Sequence, residues 1–197
     1  MRYLVLMLLL AVNSLPVGAQ SSRIEAAEVR CSSVLGIGVE TSLAFCDVLI
    51  QEDPGAGITV IIPPHRGEAK LSFNLHNRHA YSEAEERGGR AYAEYTAAIA
   101  VATADGQVLA RRFILSEFRS AEDLVDRVTG GAGPSGIKAI APTGLERIFM
   151  TIPAELEQVA IVGQTLDVVR LEGRDTFSSV GRPVAIVSDV QVEYQPR

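Results

Sequence analysis

The chain has 197 residues, with 24 acidic and 18 basic side chains that give a formal net charge of −6 at pH 7. This negative charge argues against a nucleic-acid-binding protein or one held on an anionic membrane surface, because lysine and arginine dominate both kinds of binding. With 47% hydrophobic and 21% charged residues, the composition excludes a disordered or fibrous chain. The length suits one folded domain or two small ones.

The first 19 residues have the pattern of a secretory signal peptide. Arg2 provides the positive start, residues 3–12 are apolar, and Val17 and Ala19 occupy the small-residue positions before a cleavage point. The apolar run is shorter than the roughly 20 residues that span a bilayer, and no later stretch is long enough. We therefore expect residues 1–19 to be removed and the protein to be exported, to the periplasm or outside the cell, with no membrane span.

Residues 20–197 are expected to form a single domain that contains both cysteines of the chain, Cys31 and Cys46. Because Arg2 is the only charged residue removed, this domain would carry 17 basic and 24 acidic side chains, a net charge of −7. In an oxidising compartment two cysteines most simply form a disulfide, and a loop of this length predicts a stabilisation of roughly 3 kcal/mol. The alternatives are a metal site or a catalytic thiol, but two cysteines provide at most half of a zinc site.

Short apolar or alternating runs, separated by turn residues, predict a chain made mainly of β-strands. The clearest is Lys70–His76, in which Leu71, Phe73 and Leu75 alternate with polar residues, as expected of a half-buried strand. The predicted strands include 43–50, 58–62, 70–76, 90–104, 137–141, 147–152, 158–162, 165–171, 174–179 and 183–194.

Residues 90–104 are rich in alanine and would also suit a helix on propensity alone. We favour a strand because Asp105-Gly106, a typical two-residue hairpin turn, follows at once. This turn would pair Ala102 with Leu109 and Ala98 with Phe113, so that small residues face large ones across the ladder.

A second two-residue turn is predicted at Glu172-Gly173. It would place Arg170 opposite Asp175 and Val168 opposite Phe177, and both are favourable cross-strand pairs.

Two short helices are predicted between the strands. Ser82–Glu85 fits a capping box, and Gly88-Gly89 would end the helical turn that follows. Residues 120–128 begin with an N-cap serine and early acids, and their apolar residues have helical spacing. The glycine-rich residues 130–136 are expected to form a surface loop.

These elements predict an all-β protein, a two-sheet antiparallel sandwich that is jelly-roll-like, with about nine or ten strands and one or two short helices. Residues 186–192 resemble the final strand of many carbohydrate-binding jelly rolls. The resemblance covers one strand and implies a fold, not a function.

Two motif matches conflict with the predicted local structure. Residues 131–136 have the letters of a dinucleotide-binding fingerprint, but a strand and not a helix is predicted after them. Ser135 and Lys138 have the spacing of a serine–lysine enzyme, which requires a helical turn that is not predicted here. We therefore assign neither activity, predict no cofactor and expect a protein that is not an enzyme.

Three histidines, His65, His76 and His79, lie within fifteen residues of one another. Imidazoles bind zinc or copper, so this cluster is a candidate metal site. Residues three apart on a strand point to opposite faces, however, and shared ligation would need a turn at Asn77-Arg78. Histidines that bind no metal are the simpler interpretation.

The same stretch supplies a candidate ligand-binding face. A tyrosine ring would stack on a sugar, and amide, imidazole and guanidinium groups would bind its hydroxyls. Tyr92 and Tyr95 lie nearby, although the lack of tryptophan weakens the argument for a sugar. The candidate ligand-binding residues are Asn74, His76, Asn77, Arg78, His79 and Tyr81.

The sequence thus favours an exported, non-catalytic β-sandwich that binds a glycan or another component of the cell envelope. A structural or partner-binding envelope protein fits the same features equally well. A metal-dependent enzyme built on the three histidines is the remaining alternative.

Overall fold

The structure, a computed structural model, describes residues 21–128 and 139–197. The predicted signal peptide and the predicted loop 130–136 lie outside these residues. The described strands are β1 (Arg23–Ala26), β2 (Glu28–Arg30), β3 (Val34–Ile37), β4 (Ala44–Leu49), β5 (Ile58–Ile61), β6 (His65–Tyr81), β7 (Ala93–Ala102), β8 (Val108–Phe118), β9 (Ala139–Ile152), β10 (Gln158–Arg170), β11 (Gly173–Phe177) and β12 (Pro183–Pro196).

One α-helix, α1 (Glu83–Arg87), occurs in the described ranges, together with 3-10 turns at Pro54–Ala56 and Ala121–Asp123. It confirms the first predicted helix. Ser82 is its N-cap residue, but the serine side chain makes no capping hydrogen bond. None of the described helices is long and apolar enough to span a membrane.

The strands form two antiparallel sheets with the connectivity of a jelly roll. The first sheet has the order β3-β4-β12-β6-β9, with β1 also paired to β12. The second has the order β2-β5-β10-β7-β8, with β11 also paired to β10. Along the chain, the eight strands β4-β12-β6-β9 and β5-β10-β7-β8 alternate between the sheets except at the β7–β8 hairpin, as in the eight-stranded jelly roll. The predicted fold class is confirmed, with twelve described strands instead of nine or ten.

The main core lies between the two sheets. Leu71, Phe73 and Leu75 of β6 are fully buried there, which confirms the predicted alternation. Ile99 of β7 and Ile161 of β10, in the second sheet, are also fully buried in this core. Each such side chain contributes about 1.5–3 kcal/mol by leaving water, so the period-two pattern holds the sheets face to face.

Strands β9 and β10 continue through positions where the sequence predicts breaks. In β9, the register against β6 shifts by one residue between Leu75 and Asn77, opposite Gly144. Gly144 has φ +67°, which glycine adopts without strain, and this bulge also accommodates the preceding Pro142. A similar shift in β10 after Gly163 joins its two predicted halves. The two predicted breaks are therefore wrong, because bulges let a ladder pass such residues.

The alanine-rich segment is a strand, as predicted, and it forms a hairpin with β8. Ala98 lies opposite Phe113, which confirms that pairing. Ala102 lies opposite Val108 and not opposite Leu109, because the register shifts by one residue after Val101.

The predicted register of the β10–β11 hairpin is wrong by two residues. Arg170 pairs with Gly173, and Val168 pairs with Asp175. The turn is therefore formed by Leu171 and Glu172, and the glycine at the start of β11 has φ +154°. Arg170 and Asp175 still form an exposed ion pair of 3.3 Å, although not as directly opposed residues.

The second predicted helix is wrong, because residues 121–128 form a crossing segment with a single 3-10 turn. Leu124 pairs with Thr143 of β9, at one edge of the first sheet, and Val128 pairs with Gly38 next to β3, at the other edge. Helical hydrogen bonds are replaced by these contacts, so tertiary pairing overrides local propensity. The segment covers the outer face of the sheet, where Phe45 is fully buried against Val128.

Asp126 fixes the crossing segment to the loop between β3 and β4. Its carboxylate accepts hydrogen bonds from the N–H groups of Glu40 (3.1 Å) and Thr41 (2.8 Å), from the Thr41 hydroxyl (2.6 Å) and from the N–H of Arg127 (2.6 Å). Burial raises the pKa of Asp126, but these hydrogen bonds outweigh burial and lower its pKa to about 2. Gly38 permits the close approach, since a Cβ there would lie 2.1 Å from the Asp126 carboxylate.

The predicted disulfide between Cys31 and Cys46 is present, with the two Cα atoms 5.7 Å apart. Cys31 follows β2 of the second sheet, and Cys46 lies in β4 of the first. The bond therefore fixes the chain where it crosses between sheets. The short strands β1, β2 and β3, which the sequence did not predict, lie on either side of this crossing.

We predict that Asp126→Asn lowers the free energy of unfolding by about 1–3 kcal/mol at pH 7, because an amide cannot accept from all four donors. The difference from the native chain should shrink as the pH falls from about 4 to about 2, since an unfolded aspartate protonates near pH 3.9. Urea unfolding followed by circular dichroism measures both effects. Asp175→Asn, which changes an exposed acid, is the control and should alter stability by less than about 0.5 kcal/mol. Equal effects of the two substitutions would contradict the anchoring role of Asp126.

Candidate functional site

The first sheet divides into two arms at one end. β6 pairs with β12 as far as His76, which lies opposite Ile186, and then continues with β9 alone to Tyr81. The preceding part of β12 stays with β4, where Pro183 lies opposite Leu49. The interior of the sandwich is therefore accessible between the arms. We call this opening the fork.

A cleft of about 570 Å³ occupies the fork. Arg78 and Ala80 of β6 line one side, and residues 179–183 line the other. The second sheet forms the floor with Tyr95, Leu166 and Val168, which are buried side chains. A volume between about 300 and 1,000 Å³ with a mostly apolar floor is typical of small-ligand sites. We call it the fork cleft.

Three arginines line the fork cleft, and none of its described lining residues is acidic. Arg78 donates from Nε to Asp47 of β4 over 2.8 Å, so its charge is compensated and the ion pair joins the two arms of the fork. Among the residues that the structure describes, the ionic partner of Arg170 is the exposed Asp175, at 3.3 Å. Exposed ion pairs of this kind contribute about 0–1 kcal/mol.

Arg182 has no ion pair with any residue that the structure describes. Its guanidinium carbon lies 3.6 Å from the centre of the Phe177 ring, in contact with the ring face. Such a cation–π contact holds the guanidinium in place and leaves its N–H groups available. The fork cleft thus has an apolar floor and three cations. Arg78 is paired with a buried acid, Arg170 with an exposed acid, and Arg182 with no acid among the described residues.

A smaller cleft of about 200 Å³ adjoins the fork cleft and shares Ala80, Tyr95 and Arg170 with it. It also contains Tyr92 and His79. Together the two clefts form one groove along the open end of the sandwich.

Tyr95 and His79 form a buried hydrogen-bonded pair between the clefts. The Tyr95 hydroxyl and Nδ1 of His79 are 2.6 Å apart, and the imidazole stacks on Phe118 with ring centres 3.6 Å apart. Burial raises the pKa of Tyr95 to about 12, which the nearby charge of Arg170 partly opposes. The phenol is therefore neutral at physiological pH and serves as a hydrogen-bonding group on the cleft floor.

The three histidines do not form a shared site. His65 donates through Nδ1 to the carbonyl of Pro63, and it lies on the order of 30 Å along β6 from His76. His79 faces the sandwich interior and His76 the outer face of the same sheet, as strand geometry requires. In the ranges that the structure describes, no three histidine, cysteine or acidic side chains are arranged to hold a metal ion. The geometry gives no support to the three-histidine metal enzyme.

The six predicted ligand-binding residues lie in two environments and do not form one face. Asn77, His79 and Tyr81 are buried on the inner side of β6, where Asn77 donates to Ser116 of β8 over 2.7 Å. Tyr81 therefore offers no exposed ring to a sugar. The outward-facing residues are Asn74, His76 and Arg78.

Of these six residues, Arg78 lines the fork cleft and His79 lines its neighbour. Arg170, Arg182 and Phe177 also line the fork cleft, but the sequence indicated Arg170 and Phe177 only as members of cross-strand pairs and did not indicate Arg182 at all. They are ordinary turn and strand residues in the sequence, and only the division of the sheet brings them together.

His76 and Ser188 form a hydrogen-bonded pair on the outer face of the first sheet. Nδ1 of His76 donates to the carbonyl of Gly144 over 2.8 Å, so Nε2 accepts the hydroxyl hydrogen of Ser188 over 2.8 Å. This is the relative arrangement of a nucleophile and a base, but both side chains are buried next to Phe45 and Ile186. In this position the pair satisfies buried polar groups.

A polar network surrounds Arg147 on the same outer face. Its guanidinium donates to Asn74, Ser72 and Asp189 over 2.8–3.0 Å. Asp189 has φ +47°, which is strained for a residue other than glycine, at a register shift in β12. The predicted ligand residue Asn74 is therefore occupied by a contact within the protein.

No family model and no curated protein matches this sequence. The K1 cleaved adhesin domain of Lys-gingipain from Porphyromonas gingivalis W83 is similar in structure, with 13% identity, a TM-score of 0.36, and coverage of 90% of this chain and 99% of that chain. The VP2 subviral particle of infectious bursal disease virus matches with 12% identity, a TM-score of 0.24, and coverage of 94% and 36%. The T13 particle of that virus matches with 10% identity, a TM-score of 0.27, and coverage of 87% and 30%. The likeness concerns the β-sandwich fold alone, and the chain spans well under half of either viral chain.

We predict that His76 makes the fold less stable in mild acid. Burial lowers the pKa of His76, and the hydrogen bond to Gly144 opposes this only in part. Between the lowered pKa and the unfolded value of about 6.5, the unfolded chain binds a proton that the folded chain does not, so stability falls as the pH falls. Urea unfolding at pH 7.5 and 5.5 should show a smaller loss for His76→Gln than for the native chain.

Ser188→Ala is the matched control for this experiment. It removes the same hydrogen bond but keeps the imidazole, so it should lower stability at both pH values and retain the native pH dependence. An identical pH dependence in His76→Gln and the native chain would show that His76 is not the responsible group.

Proposed function

We propose that this chain is an exported, non-catalytic β-sandwich protein and that the fork cleft binds a ligand, either a glycan or another component of the cell envelope. The observation that carries the proposal is a cationic cleft of about 570 Å³ in a chain whose net charge is −6. A cleft lined by charges of one sign concentrates their field, so clustered arginines attract an anionic ligand even when the chain as a whole is negative.

The signal-peptide pattern and the disulfide support export. A disulfide persists in oxidising compartments such as the periplasm and the extracellular space. The chemistry of the cleft supports binding without catalysis, because its walls present cations, a neutral phenol and aliphatic groups. The serine–histidine pair lies outside the fork cleft, on the outer face of the first sheet, and both of its side chains are buried.

Filling the fork cleft should abolish binding whatever the charge of the ligand. Ala80 is an exposed residue on the cleft wall, so Ala80→Phe reduces the cleft volume without altering the core. We expect ligands identified on an array of neutral and acidic glycans and peptidoglycan fragments to bind at least about tenfold more weakly to this variant, measured by isothermal titration calorimetry. Ala104→Phe, at an exposed alanine in the β7–β8 turn, should bind like the native chain. Native affinity in both variants, or no ligand at all, would contradict the proposal.

A second candidate function, partner binding in the envelope, is favoured by an apolar flank. Phe113 and Leu115 of β8, and Leu145 and Phe149 of β9, are each more than half exposed. Their strands are the adjoining edges of the two sheets, where Arg112 donates to the Phe149 carbonyl. Exposed apolar groups of this size commonly mark protein contacts.

The flank can be tested separately from the cleft. If it binds an envelope protein, Phe113→Asp with Phe149→Asp should remove crosslinks that the native chain forms in cells, while cleft ligands still bind. Crosslinks unchanged by both substitutions would contradict partner binding through this flank.

A further inference from the structure

We propose that the fork cleft selects an acidic saccharide, a short sugar chain whose carboxylate is bound by Arg182 and Arg170. This inference rests on the proposed function and names the class of ligand that the cleft would take. Its basis is the charge, pairing and geometry of the three arginines.

The arginines differ in how much of their charge is available. Arg78 is compensated by the buried Asp47 at 2.8 Å, so it serves mainly as part of the wall. Arg170 can exchange the exposed Asp175, a 3.3 Å contact of little energetic value, for a ligand carboxylate. Arg182 has no ionic partner among the described residues and is held by Phe177. Two cationic groups on the cleft walls are thus available to one anionic ligand.

The geometry of arginine favours a carboxylate. The guanidinium plane provides parallel N–H donors that match the two oxygens of a carboxylate, and its contact with an aromatic ring restricts its motion in advance. Less conformational freedom is then lost on binding. A neutral sugar would leave the charge of Arg182 without a partner in the cleft.

The Arg78–Asp47 ion pair joins β6 to β4 where the fork begins, since Ile186 of β12 lies opposite both His76 and Asp47. Between the cations, Leu166 and Val168 form an apolar floor next to the Tyr95 phenol, which suits a sugar ring with one apolar face and polar edges.

The net charge limits the length of the ligand. The whole chain carries −6, while the described lining of the fork cleft carries only basic groups. A long polyanion would be repelled wherever it extended beyond the cleft. The adjoining smaller cleft is lined by Glu85 and Glu172, so a short acidic chain contacts basic groups alone only if it stays within the fork cleft.

Trigalacturonic acid, its fully methyl-esterified form and an acidic tripeptide are the probes, tested against the full chain with its disulfide intact by isothermal titration calorimetry. The acid should bind about tenfold or more tightly than the ester, which has the same size and no charge. Its affinity should fall between about 50 and about 300 mM NaCl, because salt screens the two guanidinium groups.

Substitutions of the arginines test the assignment. Arg182→Gln should weaken binding of the acid by about tenfold, and Arg170→Gln should weaken it less. Arg182→Lys keeps the charge but loses the paired N–H donors, so its affinity should lie between those of the native chain and Arg182→Gln. Arg111→Gln changes the charge equally at an exposed position of β8 and should have no effect. Circular dichroism confirms folding of each variant.

The outcomes separate this inference from the proposed function. Equal binding of acid and ester, with both lost in Ala80→Phe, would overturn acid selection and leave the cleft as a glycan site. Preference for the tripeptide would overturn the saccharide class. Binding of the acid that is unaffected by Arg182→Gln, Arg170→Gln and Ala80→Phe would overturn the inference and the proposed site together.

Discussion

The end of the β6–β12 ladder at His76 and Ile186 is the constraint on which the candidate site depends. Up to that pair, β6 has a partner on each side and its inward side chains close the core. Beyond it, β6 follows β9 and β12 follows β4, so buried residues of the second sheet become the floor of an open cleft. The Arg78–Asp47 ion pair then joins the two arms. If β6 and β12 stayed paired beyond His76 and Ile186, their backbones would occupy the space of the fork cleft.

The two faces of the first sheet serve different purposes. Its inner face carries the apolar residues of the sandwich core, and its outer face is partly covered by the crossing segment, which Asp126 anchors. Burial there explains the pairing of His76 with Ser188, since a buried imidazole needs a partner for each nitrogen. His76 and Ser188, which have the relative arrangement of a base and a nucleophile, thus contribute to stability. In the fork cleft, by contrast, Arg170 has an exposed acid as its ionic partner and Arg182 has none among the described residues.

Strand positions and the fold class were accessible from sequence because they depend on local pattern. The alternation in β6 is a short-range signal that predicted the strand correctly, and the Asp105-Gly106 signal predicted the β7–β8 hairpin, although its register shifts by one residue next to the turn. The errors arose where distant residues decided the outcome. Residues 121–128 have helical spacing, yet pairing with β9 and with Gly38 near β3 holds them in an extended form. The two predicted strands on either side of Gly144 form one strand, β9, because both pair with β6 and the bulge at Gly144 keeps the ladder continuous.

The sequence by itself determined a two-sheet antiparallel sandwich, the cysteine pair and the inward-facing residues of its central strand, because residue alternation and turn chemistry act over a few positions. Tertiary structure alone decided which polar residues meet. Histidines that are close in sequence were separated, since neighbouring positions of a strand face opposite sides. Arg78, which is far in sequence from Arg170 and Arg182, lies in the same cleft as they do, because the division of a sheet is a property of its pairing and not of any one strand.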